Sequence, residues 1–348
     1  MEQTLFHTLK RYKTAITNKI EVLPIAILMP HSACNCRCVM CDIWKGNKNT
    51  KQLSEEDLAG LLNSFKSLDT KRIVMSGGEA LLNKNFFKFC ELIAKQNIKI
   101  TLLSTGLTVE RHAEKIINLV DEVIVSLDGD ETTHDEIRNI KGAYSELKKG
   151  VQALKKVRPD FPISARCVIH QLNFKIWDKI IMSAKEIGLD SISFLPADVT
   201  SDAFNREEPW EKEKQDSVLV KKDELSTLQE MIDKLAVQFK NEYISRFISE
   251  SPAKIQKIHQ YYQAHHGLAE FPFKNCNAPW VSTVIEADGT VRPCFFHDSI
   301  GSIRENQLHD ILNSSKSITY RKTLDVQKNP TCVKCVCYLN LAPRNKFY

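Results

Sequence analysis

Short apolar runs alternate with amphipathic stretches from residue 24 to residue 196. The runs at 24–29, 72–75, 98–103, 122–126, 163–169 and 191–195 are apolar almost throughout, which predicts strands buried on both faces of a parallel sheet. The intervening stretches carry helical periodicity and helix punctuation. Ser54 with Asp57 three residues on predicts a capping box, and Thr108 is placed to cap a helix over 109–119. Further helices are predicted over 144–157 and 174–187, the second closed by Gly188. Repeated βα units of this kind predict an α/β fold with its chemistry at the C-terminal ends of the strands, where Cys34, Glu79, Ser104, Ser126 and Arg166 fall.

Beyond Pro196 the pattern changes. Residues 198–216 are polar and interrupted by Pro209, which predicts a loop over the sheet, either a lid or a surface excursion. Leu225, Leu228, Met231, Leu235 and Phe239 share one helical face in 222–239, and 243–266 reads as helical too. Tyr261, Tyr262, His265 and His266 read as packing residues rather than a metal or sugar site. Asp288-Gly289 between alternating runs predicts a hairpin that brings Cys276 and Cys294 together. The chain therefore divides into an extension (1–21), a core (22–240), a helical linker (241–275) and a Cys-rich unit (276–348).

Composition narrows the class. The chain has 348 residues, 43% of them hydrophobic and 26% charged, as in ordinary globular proteins. Eleven cysteines without a secretory leader point to metal binding in a reducing, cytoplasmic setting rather than to disulfides. A net charge of +5 spread among acidic residues gives no nucleic-acid footprint, and no apolar run is long enough to span a membrane.

Cys34, Cys38 and Cys41 form a C-x3-C-x2-C pattern directly after the first strand. Three thiolates on one loop can ligate three irons of a [4Fe–4S] cluster and leave the fourth iron open to a small molecule. Cys36, inside the same loop, reads as a small buried residue, as do Cys90 and Cys167 within elements. A second set, Cys276, Cys294, Cys332 and Cys335 with Cys337 nearby, suits one fully ligated cluster. Zinc remains an alternative for both sets, since two-residue cysteine spacings also build zinc sites.

The cysteine triad, followed in order by Ser76-Gly77-Gly78-Glu79 and Val123-Ile-Val-Ser126-Leu-Asp-Gly129, resembles the radical S-adenosylmethionine (SAM) superfamily over roughly residues 22–200. That resemblance implies a partial (β/α)6 TIM-like barrel with a small C-terminal Cys-rich hairpin-containing domain. It implies S-adenosylmethionine chelated to the open iron, with Glu79 accepting from the methionine ammonium. It also implies cofactor contacts from Met40, Gly77, Gly78, Ser104, Ser126, Arg138 and Leu195. Met40 departs from the aromatic usual there, and Ala80 from the usual proline. Cys276, the Gly289-x4-Cys294 step and Cys332-x2-Cys335 resemble the SPASM/twitch extension, which implies an auxiliary [4Fe–4S] cluster, here one by cysteine count. The implied activity is cofactor cleavage to a 5′-deoxyadenosyl radical and hydrogen abstraction, with flavodoxin or ferredoxin as electron donor. About thirty residues precede the cluster loop, fewer than a separate leader-recognition domain needs, which favours a small molecule such as a sugar or aminocyclitol over a peptide. A zinc-stabilised binding protein is the non-enzymatic alternative.

Overall fold

Strands β1 (Ile25–Leu28), β2 (Arg72–Met75), β3 (Lys99–Ser104), β4 (Glu122–Ser126), β5 (Ile163–Ile169) and β6 (Ser191–Pro196) pair in parallel and in sequence order. The computed structural model describes residues 5–345 apart from 204 and 207. Three further strands, β7 (Ser282–Ile285), β8 (Thr290–Arg292) and β9 (Gly301–Ser302), extend the same sheet beyond β1, in the order β6-β5-β4-β3-β2-β1-β7-β8-β9. The six strands lie where the apolar runs place them, to within a residue or two at each end.

The helices are α1 (Leu5–Thr17), α2 (Glu55–Ser67), α3 (Phe86–Ala94), α4 (Ala113–Leu119), α5 (Glu131–Arg138), α6 (Ala143–Val157), α7 (Trp177–Ile187), α8 (Lys212–Val218), α9 (Leu225–Gln238), α10 (Lys240–Ile244) and α11 (Pro252–His265), with short helices following in the C-terminal region. Alternate strand residues, such as Ala26, Leu28, Ile73, Met75, Ala165 and Cys167, are buried in the core shared with the helices. The other residues of each strand face a lumen. α2 begins with the Ser54–Asp57 capping box, and Gly188 closes α7 at φ +91°, a conformation glycine adopts without strain. Among the described residues, no helix is long and apolar enough to cross a membrane.

Three expectations are corrected. Thr108 does not cap: the chain enters α4 through a 3-10 turn at Glu110–His112, and Thr108 Oγ1 is buried without a hydrogen bond. The helix expected over 243–266 is broken at residues 245–251, where Ile248 bridges Ile192 beside β6 and Ser251 caps α11 with Pro252 at its first turn. The loop expected over 198–216 contains the start of α8 and is fastened down. Trp210 Nε1 donates to Asp42 Oδ2 (2.7 Å) and Lys214 Nζ to the Val39 carbonyl (2.8 Å). Tyr261 and Tyr262 are packing residues as read, their hydroxyls donating to the carbonyls of Ala197 and Ile169.

The hairpin turns at Asp288-Gly289, with Gly289 at φ +88°, and its first strand runs parallel to β1 in full register. The Cys-rich segment is thus knitted into the barrel's sheet. Arg304 reinforces the seam with a two-pronged bond to Asp57 (3.1 and 2.9 Å), and Lys51 pairs with Asp288 at 3.0 Å.

Candidate functional site

The loop from His31 to Trp44 crosses the C-terminal ends of β1 and β2. It is held by backbone bonds from Arg37 and Val39 to the Arg138 and Ile137 carbonyls (both 3.0 Å), at the end of α5. Asn47 clamps it from the other side, accepting from Cys34 N (3.0 Å) and donating to the Cys34 carbonyl (2.8 Å). Trp44 Nε1 donates to the Cys41 carbonyl at 2.8 Å.

Four of the sulfurs carry amide donors. Cys36 N–H donates to Cys34 Sγ (3.4 Å), and the amides of Ile43, Phe296 and Cys337 do the same for Cys41, Cys294 and Cys335. An amide two residues on, aimed back at the sulfur, is a donor set suited to thiolates carrying a cluster's charge. Cys36 is buried as expected, but its thiol is not idle packing: it hydrogen-bonds both Cys34 and Cys38. That bond, aided by Arg138 whose Nη1 lies 3.5 Å from Cys38 Sγ, holds the Cys38 thiol down at about 6 against the effect of burial. Burial pushes Cys41 up to about 12.

Glu79 is fully buried beneath the loop. Its Oε2 accepts from Ser104 Oγ (2.9 Å), Thr105 N (2.8 Å) and Thr105 Oγ1 (2.8 Å), and its Oε1 from Leu81 N (3.2 Å). Burial raises its pKa while these four donors oppose the rise. Ser104, expected at the cofactor, spends its hydroxyl on Glu79, so its visible role is to position that carboxylate. Gly77 and Gly78 line a cavity of about 310 Å³ beside the loop and also pack directly against it. A Cβ on Gly78 would stand 2.2 Å from the Ala33 carbonyl oxygen, and one on Gly77, at φ +108°, 3.0 Å from the His31 oxygen. The glycines admit the cysteine loop itself.

Arg138 is buried and ion-paired with the fully buried Asp128, whose Oδ1 accepts from Val168 N (3.0 Å). Met40 is partly buried against the core, and Ser126 sits half-buried at the end of β4. Leu195, on β6, lines a cavity of about 100 Å³ that also reaches Cys335 and Cys337. Residues the sequence reading missed are Asn47, Thr105, Asp128 and Trp210. Only Asp128 carried a signal, as part of the Ser126-Leu-Asp-Gly129 stretch.

All five C-terminal cysteines line one cavity of about 30 Å³, with His297 Nε2 3.2 Å from Cys332 Sγ. Cys335 is half-buried and Cys337 exposed. Among the described residues, no three Cys, His, Asp or Glu side chains converge as donors to a single metal ion. Cysteine thiolates are the usual ligands of iron–sulfur clusters, and both sets supply them.

The family model of the Radical SAM superfamily matches residues 28–194, and that of the SPASM iron–sulfur cluster-binding domain matches residues 276–336. The chain belongs to the radical SAM superfamily of enzymes and carries a SPASM domain. The first domain implies S-adenosylmethionine and a [4Fe–4S] cluster, and the second implies auxiliary iron–sulfur chemistry. The chain is 26% identical over 164 residues to the AdoMet-dependent heme synthase of Methanosarcina barkeri, covering 45% of this chain and 46% of that enzyme. It is 22% identical over 293 residues to the sporulation killing factor maturation protein SkfB of Bacillus subtilis, covering 83% and 65%. These matches span less than two thirds of either relative. Streptococcus suis SuiB, solved with its precursor peptide SuiA, shares the fold at a TM-score of 0.63 and 14% identity, over 93% of this chain and 72% of that one.

Proposed function

We propose that this chain is a radical SAM enzyme acting on a peptide. Cys34, Cys38 and Cys41 would hold the reactive cluster, and Cys276, Cys294, Cys332 and Cys335 one auxiliary cluster. When bound, these groups supply hydrogen abstraction from a C–H bond and one-electron transfer. The chain's own part is positional: Ser104 and Thr105 aim the Glu79 carboxylate, Arg138 and the amide donors balance the thiolate charge, and Trp210 and Lys214 fasten the loop at Asp42 and Val39. Cys335 is preferred to Cys337 as the fourth ligand because it is the less exposed and receives an amide bond.

The observation that carries the reading is the buried Glu79 carboxylate under a three-cysteine loop, in one sheet with a second cysteine set. The peptide part draws on the relatives whose likeness runs through both domains, SkfB and SuiB. A small-molecule substrate, favoured by the sequence reading, has the heme synthase on its side, whose likeness covers less than half the chain.

The test is anaerobic. The reconstituted protein is given dithionite and S-adenosylmethionine, and 5′-deoxyadenosine is followed as deproteinised cell extract is added before or after peptidase digestion. Stimulation lost on digestion supports a peptide. Stimulation that survives digestion overturns it in favour of a small molecule, and no cleavage with any extract from a fully iron-loaded protein overturns the radical reading itself.

A further inference from the structure

Arg166 is an exposed residue on the lumen face of β5, and among the described residues no acid pairs with it. Along β5 the residues Ile163, Ala165, Cys167 and Ile169 are buried on the helix side, so Ser164, Arg166 and Val168 point the other way. Register sets Arg166 between Ser126 of β4 and Ser193 of β6, a row of three hydrogen-bonding side chains across neighbouring strands. Its guanidinium makes one long contact, Nε to Ser193 Oγ at 3.4 Å, and among the described residues it has no ion-pair partner. Two other arginines, Arg72 and Arg138, are ion-paired, with Glu122 and Asp128.

The cavity of about 100 Å³ beside Arg166 repeats the imbalance. Arg166, Lys254, Lys257 and Lys274 line it against one carboxylate, Glu250. Glu250 is already engaged: Oε2 accepts from Phe194 N (3.0 Å) and Oε1 from Lys254 Nζ (3.3 Å). Lys257 donates to a neutral backbone carbonyl, that of Phe273 at 2.9 Å, and Lys274 to that of Val333 while lying over the Phe271 ring; among the described residues neither has an ion-pair partner. The same cavity is bordered by Leu195 on the barrel side and Cys335 on the other, so its occupant would lie against the second cysteine set. An unpaired guanidinium in a concave site, with further cations around it, favours a planar oxyanion that the Arg fork can grip at two points.

We propose that Arg166, with Lys254 and Lys257, binds a carboxylate of the substrate, an acidic side chain or C-terminus of a peptide, and so fixes how the substrate lies against the second cysteine set. This rests on the peptide reading above, and the same chemistry would take the phosphate of a small molecule.

The experiment is anaerobic calorimetric titration of the reconstituted full chain with three probes: acetyl-Gly-Glu-Gly-amide, its Gln counterpart, and inorganic phosphate. The acidic tripeptide is expected to bind about tenfold tighter than the Gln form, and Arg166→Gln to erase that advantage, as loss of a charged hydrogen-bonding partner does. Arg166→Lys should keep part of it, and Lys257→Met should weaken it about threefold through the field alone. Iron content equal to wild type checks that each variant folds, and Lys257→Met carries the test should Arg166→Gln fail that check. Arg166-dependent phosphate binding with no preference for the acidic tripeptide keeps the oxyanion site and overturns the peptide reading. Probe binding indifferent to Arg166 and Lys257 overturns the site and leaves the peptide reading standing. Weakened S-adenosylmethionine binding with unchanged probe binding assigns Arg166 to the cofactor and overturns the proposal.

Discussion

Replacing Gly78 by alanine should empty the N-terminal cluster site while leaving the barrel standing. The added Cβ would lie 2.2 Å from the Ala33 oxygen and 2.6 Å from the Ala33 carbon, both backbone atoms, and 3.0 Å from Cys34 Cβ. No side-chain rotation relieves such contacts, so the cysteine loop must retreat by roughly 1 Å. Retreat breaks the bond from Glu79 N to the Ala33 oxygen (3.0 Å). Overpacking costs about 1–3 kcal/mol and the stranded amide about 1–3 kcal/mol more, so about 3 kcal/mol is a modest figure. That lowers the population of cluster-competent loops about a hundredfold. The assay is iron and sulfide per chain after anaerobic reconstitution, expected to fall from about eight to about four of each as the C-terminal site fills alone. Gly60→Ala is the control: it lies exposed in α2 with nothing within 4 Å of an added Cβ, and should be neutral or stabilising by up to about 1 kcal/mol. A Gly78→Ala protein that holds its full iron would refute the reasoning that these glycines exist to seat the cysteine loop.

Thr105→Val removes a hydroxyl from Glu79 at constant shape, and about tenfold weaker S-adenosylmethionine binding is expected by equilibrium dialysis, as for one charged hydrogen bond; unchanged affinity would dissociate Glu79 from the cofactor. Cys36→Ala should retain the N-terminal cluster and Cys38→Ala should lose it, read by iron count, because the buried Cys36 thiol only hydrogen-bonds its neighbours while Cys38 belongs to the C-x3-C-x2-C triad; equal loss in both would make Cys36 a ligand. At the seam, burial would raise the Asp288 carboxyl, but bonds from Lys51 and Thr290 outweigh it and bring it from 3.8 to about 2. A folded pKa below the unfolded one gives stability that is present above 3.8 and lost as pH falls to about 2. Urea unfolding of the metal-free chain should therefore show a gap between wild type and Lys51→Met that closes over that window, and a gap independent of pH would contradict it.

The strands were legible because a parallel sheet covered by helices leaves its residues little exposure, and that burial is written as near-continuous apolar runs. Ser54 with Asp57 and Gly188 were legible for a similarly local reason, each acting on backbone groups three or four residues away. Thr108 failed because local capping preference competes with the route the chain must take, and here a 3-10 turn enters α4 one residue later. The break between α10 and α11 was invisible because it is a tertiary event: Ile248 leaves helical periodicity to sit beside Ile192 at the sheet's edge.

The site divides along the same line. Cysteine spacing announced both sets, since ligands to one cluster must come from chain segments that can converge, and short spacing does this by itself. What supports the ligands did not announce itself. Asn47, Thr105 and Trp210 are ordinary residues whose importance arises only when folding sets them against Cys34, Glu79 and Asp42. The Gly77-Gly78 pair reads from sequence as room for a ligand, and the fold gives its missing side chains a second use, making room for the cysteine loop whose Ala33 carbonyl accepts from Glu79 N. Backbone contact between loop and motif therefore couples the two halves of the site: a change that loosens either should weaken both cluster retention and cofactor affinity, which separate ligand sets would not require.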